Sequence, residues 1–374
     1  MDFALNDEQA MLDDSVEKFI GNDYDFETRQ RYAASETGFS EATWQQFAEL
    51  GWTAVPFSEA DGGFGWGPIE VMLIMRQFGR GLVVEPYLAN IILAGGVLRR
   101  TGSDGQKEEW LAPVIGGEKQ AAFAHVEPQS RYALADVGTT ATAAGDEYVL
   151  NGTKAVVLNG GSADFFIVSA RLEGERQDRN GIGLFVVPAD GAGVSRQSYA
   201  TVDGLRAAEL RLDGVQVPAG NCLCRDDSAI DVIEAVTNEA TLAVCAEAVG
   251  IMQIMTQKTV EYSKSRVQFG VPIGSFQALQ HRMVDMLTAC EQSYSLLLWA
   301  AMLAAEGSAD SARAVSAIKY QVGTAGKKVG QEAVQLHGGM GVTWELDIAH
   351  YFKRLTVIGQ LFGNADYHLD RLAS

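Results

Sequence analysis

Basic residues are scarce in this chain: 29 Lys and Arg stand against 48 Asp and Glu, a formal net charge of −19 over 374 residues. That balance argues against nucleic acid or an anionic membrane surface as a partner, since both are polyanions. It also means that any anionic cofactor must be held by local arginines and backbone amides against an unfavourable overall field. Cysteine is equally scarce. Cys222, Cys224, Cys245 and Cys290 show no metal-ligand spacing, because Cys222-Leu-Cys224 has no second pair or histidine near it in sequence. Free thiols in a reducing compartment fit this usage better. The longest apolar runs fall short of a membrane span. The N-terminus, Met1-Asp-Phe-Ala-Leu-Asn-Asp-Glu8, lacks the basic segment and apolar core of a signal peptide, so the expected location is the cytoplasm. Repeats and low-complexity segments are absent. What is present is an ordinary globular composition, 47% hydrophobic and 21% charged, in a chain long enough for two or three domains sharing a large core.

The hydrophobic period divides the chain into three expected domains. Residues 1–118 read as helical: Phe3, Leu5, Met11, Leu12, Val16 and Phe19 follow helical spacing behind the acidic turn Asn6-Asp7-Glu8. A second amphipathic stretch runs through Trp44, Phe47, Leu50 and Trp52. Further helix is expected over Ile69 to Phe78 and near Leu93 to Leu98. The break Asp61-Gly-Gly-Phe-Gly-Trp-Gly-Pro68 lacks the Lys-Ser/Thr ending of a phosphate-binding loop and reads as a turn. Residues 119–220 change to a strand period. Glu147–Leu150, Asn151-Gly152 and Thr153–Leu158 predict a hairpin with a tight type I′ turn, and Asn159-Gly160 and Asp213-Gly214 predict further turns. Phe165–Ser169 and Gly183–Val187 read as buried strands, and Pro218 closes the segment. Residues 221–374 return to helix in four long segments: Ile230–Ser265, Ser275–Ala305 with Ser275 as N-cap, Ala312–Leu336, and Leu346–Leu372 interrupted at Gly363. In the second of these, Leu279, Met283, Met286, Leu287, Cys290, Tyr294 and Leu297 form an apolar stripe.

Between the first two of these helices, Val260–Asp285 places one guanidinium, two amides and two aromatic rings within a dozen residues. Arg266 can meet a phosphate bidentately, and Phe269 and Phe276 can pack on a flat heterocycle. The same stretch is also compatible with a plain helix–loop–helix corner carrying an exposed arginine.

At Arg266-Val-Gln-Phe-Gly270, Phe276-Gln277 and Gln335-Leu-His-Gly-Gly-Met-Gly341 the chain resembles the acyl-CoA dehydrogenase family, and it does so over its whole length. Tyr24-Asp-Phe-Glu27, Leu205-Arg-Ala-Ala-Glu209, Gly270–His281 and His350–Leu355 are most similar to the small subunits of heteromeric enzymes of the pimeloyl-CoA dehydrogenase type. The resemblance implies an α+β, mainly α fold: an N-terminal helical domain, a middle β-barrel domain and a C-terminal four-helix bundle. It implies tetramers with FAD at subunit interfaces, an acyl-CoA substrate and an electron-transfer flavoprotein as acceptor. Dehydrogenation there sends an α-proton to a carboxylate base and a β-hydride to the flavin. Such a base must be desolvated enough to accept a carbon-bound proton, and hydrogen-bond donors must meet the thioester oxygen.

The resemblance implies further that each FAD is shared, and the two halves of the site compare differently. For the half that a neighbour lends, Arg266, Gln268, Phe269, Phe276, Gln277, Gln335, Gly338 and Gly339 fall on the family's positions, Gln268 standing for a common threonine. In the receiving half the pattern aromatic-x-x-Thr-Glu-Pro-Gly-x-Gly-Ser-Asp reads Phe123-Ala-His-Val-Glu-Pro-Gln-Ser-Arg-Tyr-Ala133, and Trp-Ile-Thr-Asn-Gly reads Val156-Val-Leu-Asn-Gly160. The flavin-facing hydroxyls are gone while Glu127-Pro128 and Asn159-Gly160 remain. The usual base, a Glu before Gly near the C-terminus, is Phe362-Gly363. The alternative base position on the first bundle helix is Ala240; Glu239 is adjacent but turned by about 100° around a helix. His125 and His337 read as packing or hydrogen-bonded residues.

The expected function is therefore a non-catalytic subunit of a heteromeric FAD-dependent acyl-CoA dehydrogenase, completing the site of a homologous large catalytic subunit. A self-sufficient homotetramer using Glu239, and a scaffold homologue binding no cofactor, are the alternatives. The acyl chain is not readable from the sequence.

Overall fold

The computed structural model describes residues 4–225 and 228–373; Phe3 of the first helical pattern lies outside them. Contacts divide the chain into two compact units that do not follow the sequence segments. One unit comprises Met1–Arg31, Gly67–Val83 and Thr241–Ser374, the other Tyr32–Trp66 and Val84–Ala240. The N-terminal helical segment is thus split between them, because two of its helices belong to the core of the C-terminal bundle.

In the first unit, α1 (Asp7–Asp23) is opened by Asn6, which exchanges reciprocal hydrogen bonds with Gln9, and buries Leu12, Val16 and Phe19. Helix α2 (Pro68–Gly81) starts on Pro68 and packs on α1. Helix α3 (Ala229–Ser265) is long and apolar enough to cross a membrane by length and composition. However, 83% of its apolar window is buried inside the protein, so that surface serves the core. Helices α4 (Gln277–Ala305), α5 (Ser311–His337), α6 (Asp347–Ile358) and α7 (Ala365–Ala373) complete the bundle, with α5 touching α4, α6 and α7. Two glycines set the crossing of α2 and α3. A Cβ on Gly79 would strike the Glu247 carbonyl, and one on Gly250 would strike the Arg76 carbonyl. Beside this crossing the buried Glu247 and Arg354 pair through two bonds of 2.5 and 2.7 Å. Ser275 does not cap α4: its hydroxyl donates to the Pro272 carbonyl at 2.7 Å, and Phe276 takes the cap position. Within the expected stripe Met283, Met286, Cys290 and Leu297 are buried, whereas Leu287 is exposed.

The second unit holds short helices, among them Glu41–Glu49, the π-helix Leu88–Ala94 and Gly95–Thr101, together with one eight-stranded sheet. Its strands are β1 (Ala121–Ala124), β2 (Thr140–Ala144), β3 (Glu147–Leu158), β4 (Phe165–Arg171), β5 (Ile182–Pro188), β6 (Val194–Ala200), β7 (Arg206–Pro218) and β8 (Cys222–Cys224). The order is β6-β7-β3-β2-β4-β5-β8, with β1 parallel to β4. Every residue of β4 is buried, as its apolar run predicts. The strand Cys222–Cys224 extends the sheet past Pro218 by pairing with β5.

The expected hairpin at Asn151-Gly152 is not there. Glu147–Leu158 is a single strand, and the hairpin turns one step earlier, at Gly145-Asp146, where Ala144 faces Glu147. Asn151 instead lies opposite Asp213-Gly214 in a register shift between β3 and β7, Gly152 pairing with Leu212, and the Gly214 amide donates to Asn151 Oδ1 at 2.8 Å. The two pairs that read as turns thus meet at one bulge. Gly152 is required because a Cβ there would collide with Thr139.

Candidate cofactor and active site

The first cluster belongs to the bundle unit. After Ser265 ends α3, Val267-Gln268 pairs with Val271-Pro272 around a two-residue turn. Both turn residues have positive φ, Phe269 at 54° and Gly270 at 81°, as a type I′ turn demands. Phenylalanine in this region costs about 1 kcal/mol or more. The strained turn leaves the Phe269 ring 91% exposed and edge-on to Phe276 at 6.1 Å. Arg266 is exposed and forms no ion pair among the described residues.

The second segment of this cluster is the end of α5, where Gly338 (φ 62°) turns the chain. One contact ties the two segments together. The Tyr262 ring stacks on His337 at 4.4 Å, and the Tyr262 hydroxyl donates to the His337 carbonyl at 3.5 Å. Burial lowers the His337 pKa and keeps the ring neutral, with Nδ1 2.8 Å from the Ala333 carbonyl. Arg266, Gln268, Phe269, Phe276, Gln277, Gln335, Gly338 and Gly339 are all exposed in this unit. None of the eight is consumed by internal packing. The Tyr262–His337 stack that organises them was not legible as such, because the partners lie 75 residues apart.

The second cluster belongs to the sheet unit. Glu127 is buried and accepts from Lys154 Nζ at 2.6 Å, Gln129 Nε2 at 2.8 Å, and the amides of Gly138 and Thr139 at 2.8 and 2.9 Å. Burial by itself would raise its pKa, but the Lys154 charge and these hydrogen bonds hold it down to about 2. Lys154 is fully buried. Burial depresses its pKa to about 8 against the pull of Glu127. Asn159 (φ 58°) donates to Gln120 Oε1 at 3.2 Å, and Asn90 donates to the same oxygen while accepting from the Ala121 amide. Of the polar residues that match the family pattern, Glu127 thus holds backbone amides and Asn159 the Gln120 side chain.

Two of the residues that depart from the pattern have unusual backbone conformations. Arg131 (φ 47°) and Val156 (φ 51°) carry bulky side chains in the left-handed region. For a β-branched residue such as Val156 this is a marked outlier. His125 stacks on Phe123 at 4.5 Å with Nδ1 buried and without a hydrogen-bond partner, and burial pushes its pKa down to about 4.

At the usual base position the bundle unit has Phe362 (φ 56°) and Gly363 (φ 112°). Their carbonyls are pinned by two buried side chains, His368 Nε2 at 3.0 Å and Lys319 Nζ at 2.5 Å. The loop is held firmly, yet its side chain cannot accept a proton. Glu239, in the sheet unit, receives two 2.7 Å bonds from Arg99 and one of 2.5 Å from Arg100.

Comparison with known proteins settles the family. Residues 6–118, 122–215 and 230–374 match the N-terminal, middle and C-terminal domains of acyl-CoA dehydrogenases. A probable acyl-CoA dehydrogenase, YngJ of Bacillus subtilis, is 30% identical over 368 residues, 96% of each chain. The chain belongs to the acyl-CoA dehydrogenase family. Among solved structures, the ChsE4-ChsE5 complex from Mycobacterium tuberculosis contains a chain 27% identical, with TM-score 0.89 and coverage of 100% and 98%. Butyryl-CoA dehydrogenase from Megasphaera elsdenii is 26% identical, with TM-score 0.92 and coverage of 100% and 99%.

Acyl-CoA dehydrogenases are FAD-dependent oxidoreductases of acyl-CoA thioesters, and the two clusters of this chain fit that cofactor unequally. The exposed guanidinium, amides and rings around Arg266 fit an anionic dinucleotide. In the sheet unit Arg131 and Val156 place bulky side chains where the family pattern has other residues, and in the bundle unit Phe362 offers no carboxylate that could accept a proton.

Proposed function

We propose that this chain is the cofactor-completing, non-catalytic subunit of a heteromeric FAD-dependent acyl-CoA dehydrogenase. A homologous large subunit would carry the base and the ring pocket, and an electron-transfer flavoprotein would be the acceptor. The observation that carries this reading is the asymmetry between the clusters. The lending residues are exposed and uncommitted, whereas Glu127 and Asn159 serve internal bonds and the base position is phenylalanine. FAD, when bound, supplies the hydride chemistry. This chain would contribute Arg266 to a phosphate, Gln268, Gln277 and Gln335 as hydrogen-bond donors, and Phe269 and Phe276 as packing surface. The ChsE4-ChsE5 neighbour is compatible with two homologous chains in one assembly, as the pimeloyl-CoA dehydrogenase-type resemblance implies.

The test is to purify the chain alone and with its partner. Alone, it should lack stoichiometric FAD and show no acyl-CoA-dependent dye reduction. In the complex, Arg266→Ala should weaken FAD retention at least tenfold, the loss of one charge-assisted hydrogen-bond set. Stoichiometric FAD and turnover by the chain alone would overturn the proposal, and unchanged flavin content in the Arg266→Ala complex would favour the scaffold reading.

A separate measurement addresses Glu239. A carboxylate held by two guanidinia is poorly placed to take up a carbon-bound proton. Turnover of the complex carrying Glu239→Gln should stay within about twofold of the parent, because the carboxylate is already committed to Arg99 and Arg100 and not to the reacting atoms. A tenfold or greater drop in kcat would instead point to a self-sufficient enzyme.

A further inference from the structure

The end of α3 is the common base of both cofactor-lending segments. On one side the Arg266 amide closes the last helical turn on the Tyr262 carbonyl at 2.8 Å, and the Ile273 amide donates to the Arg266 carbonyl at 2.8 Å. Gly274 lies so close to α3 that a Cβ there would come within 2.9 Å of the Ser263 hydroxyl and 3.0 Å of its carbonyl oxygen. The turn between Arg266 and Phe276 is therefore built directly on this helix.

On the other side α3 holds both ends of the loop from Gly338 to Leu346. Lys258 and Tyr262 are four residues apart and share one face of the helix, with Arg266 four residues further on. Tyr262 takes His337, the last residue of α5, by the ring stack at 4.4 Å and the hydroxyl bond to its carbonyl. Lys258 takes the buried Asp347, the first residue of α6, at 2.8 Å. Between these anchors the loop is pressed on α5 at Gly341, where a Cβ would strike the Val334 carbonyl at 2.5 Å. The loop buries little apolar surface of its own, since Met340, Val342 and Trp344 are exposed. Its position therefore depends on the anchors.

We infer that Tyr262 and Lys258 are positioning residues for the cofactor, fixing the distance between the Arg266 turn and the Gly338 turn so that both grip one dinucleotide. This rests on the reading of the two turns as a single cofactor site. Two contacts held at fixed spacing act as one bivalent site, whereas contacts that move independently lose entropy when a ligand orders them. Loss of an anchor should thus weaken binding although no contact to the ligand is removed.

The test uses the complex with the partner subunit, with the FAD dissociation constant read from flavin fluorescence and unfolding followed by circular dichroism. Tyr262→Leu, which removes the stack and the hydroxyl, should weaken FAD binding about tenfold. Tyr262→Phe keeps the stack and should stay within about threefold of the parent. Lys258 is partly exposed, so Lys258→Met keeps the fold. It should weaken FAD binding about threefold while the melting temperature stays within about 3 °C of the parent. A double-mutant cycle separates positioning from bundle stability. Arg266→Ala and Tyr262→Leu act on one grip, so together they should cost about thirtyfold or less, below the roughly hundredfold product of independent effects. If Arg266→Ala weakens FAD binding, a fully additive loss in the double variant would overturn this inference alone. Unchanged FAD affinity in Tyr262→Leu or Lys258→Met would do the same. Unchanged affinity in Arg266→Ala would overturn the cofactor reading and this inference with it.

Discussion

Glu127→Ala is expected to destabilise the sheet unit by about 3–5 kcal/mol, the range for removing one partner of a buried ion pair. The substitution strands the Lys154 ammonium, which is fully buried and keeps only Ser169 Oγ at 3.1 Å. It also leaves the Gly138 and Thr139 amides without their acceptor. Urea titration, with hydrogen exchange read at β3 and β4, would locate the loss. The pH dependence has a definite sign. The folded carboxyl has a pKa of about 2, below the ordinary 4.5, so its contribution is present above pH 4.5 and is lost as the pH falls towards 2. The gap between parent and variant should therefore narrow in acid. Lys154 acts with the same sign: its folded pKa is depressed to about 8, so the unfolded chain binds more protons between pH 8 and 10.5 and stability rises with pH there. In the variant, without the pull of Glu127, the ammonium gives up its proton more readily still. Raising the pH through that window should partly rescue the variant. Glu127→Gln with Lys154→Met, which removes both charges, should recover much of the loss. If Glu127→Ala alone costs under about 1 kcal/mol, the pair does not hold this part of the sheet as described.

Gly250→Ala is expected to cost about 3 kcal/mol, at the upper end for overpacking a well-filled core. The added methyl would meet the Arg76 carbonyl, and backbone cannot rotate aside as a side chain can, so α2 and α3 must separate. Separation would loosen the buried Glu247–Arg354 pair beside the crossing. Gly21→Ala is the matched control. Gly21 lies in α1 with nothing within 4 Å of the new methyl, so the same chemical change should stabilise by up to about 1 kcal/mol. Thermal unfolding of the two variants should move in opposite directions. A Gly250→Ala protein as stable as the parent would mean that the helices do not touch at this point.

The period of the sequence was informative where burial is one-sided or complete. Leu12, Val16 and Phe19 on α1 and the apolar run of β4 lie where their spacing places them. Punctuation was less informative. Asn151-Gly152 and Asp213-Gly214 carry turn chemistry, but each is compatible with either a turn or a bulge, and only the register between β3 and β7 distinguishes them. Ser275 likewise has the right side chain for a cap, yet the Pro272 carbonyl takes its hydroxyl. In both cases local preference offers two outcomes and pairing over long sequence separation selects one.

The sequence by itself determined the family resemblance, the three successive segments, the array around Arg266 and the absence of a carboxylate at Phe362, because these depend on residue identity and order. Tertiary structure decided how those segments share cores, since α1 and α2 bury their apolar faces within the unit formed by the C-terminal bundle. It decided that Glu239 is held by Arg99 and Arg100, that Glu127 serves the backbone amides of Gly138 and Thr139, and that Asn159 bonds Gln120. It also brought Lys258 and Tyr262 of α3 against Asp347 and His337. Hydrogen bonds and charges act over a few ångströms, and only folding brings residues a hundred positions apart within that range.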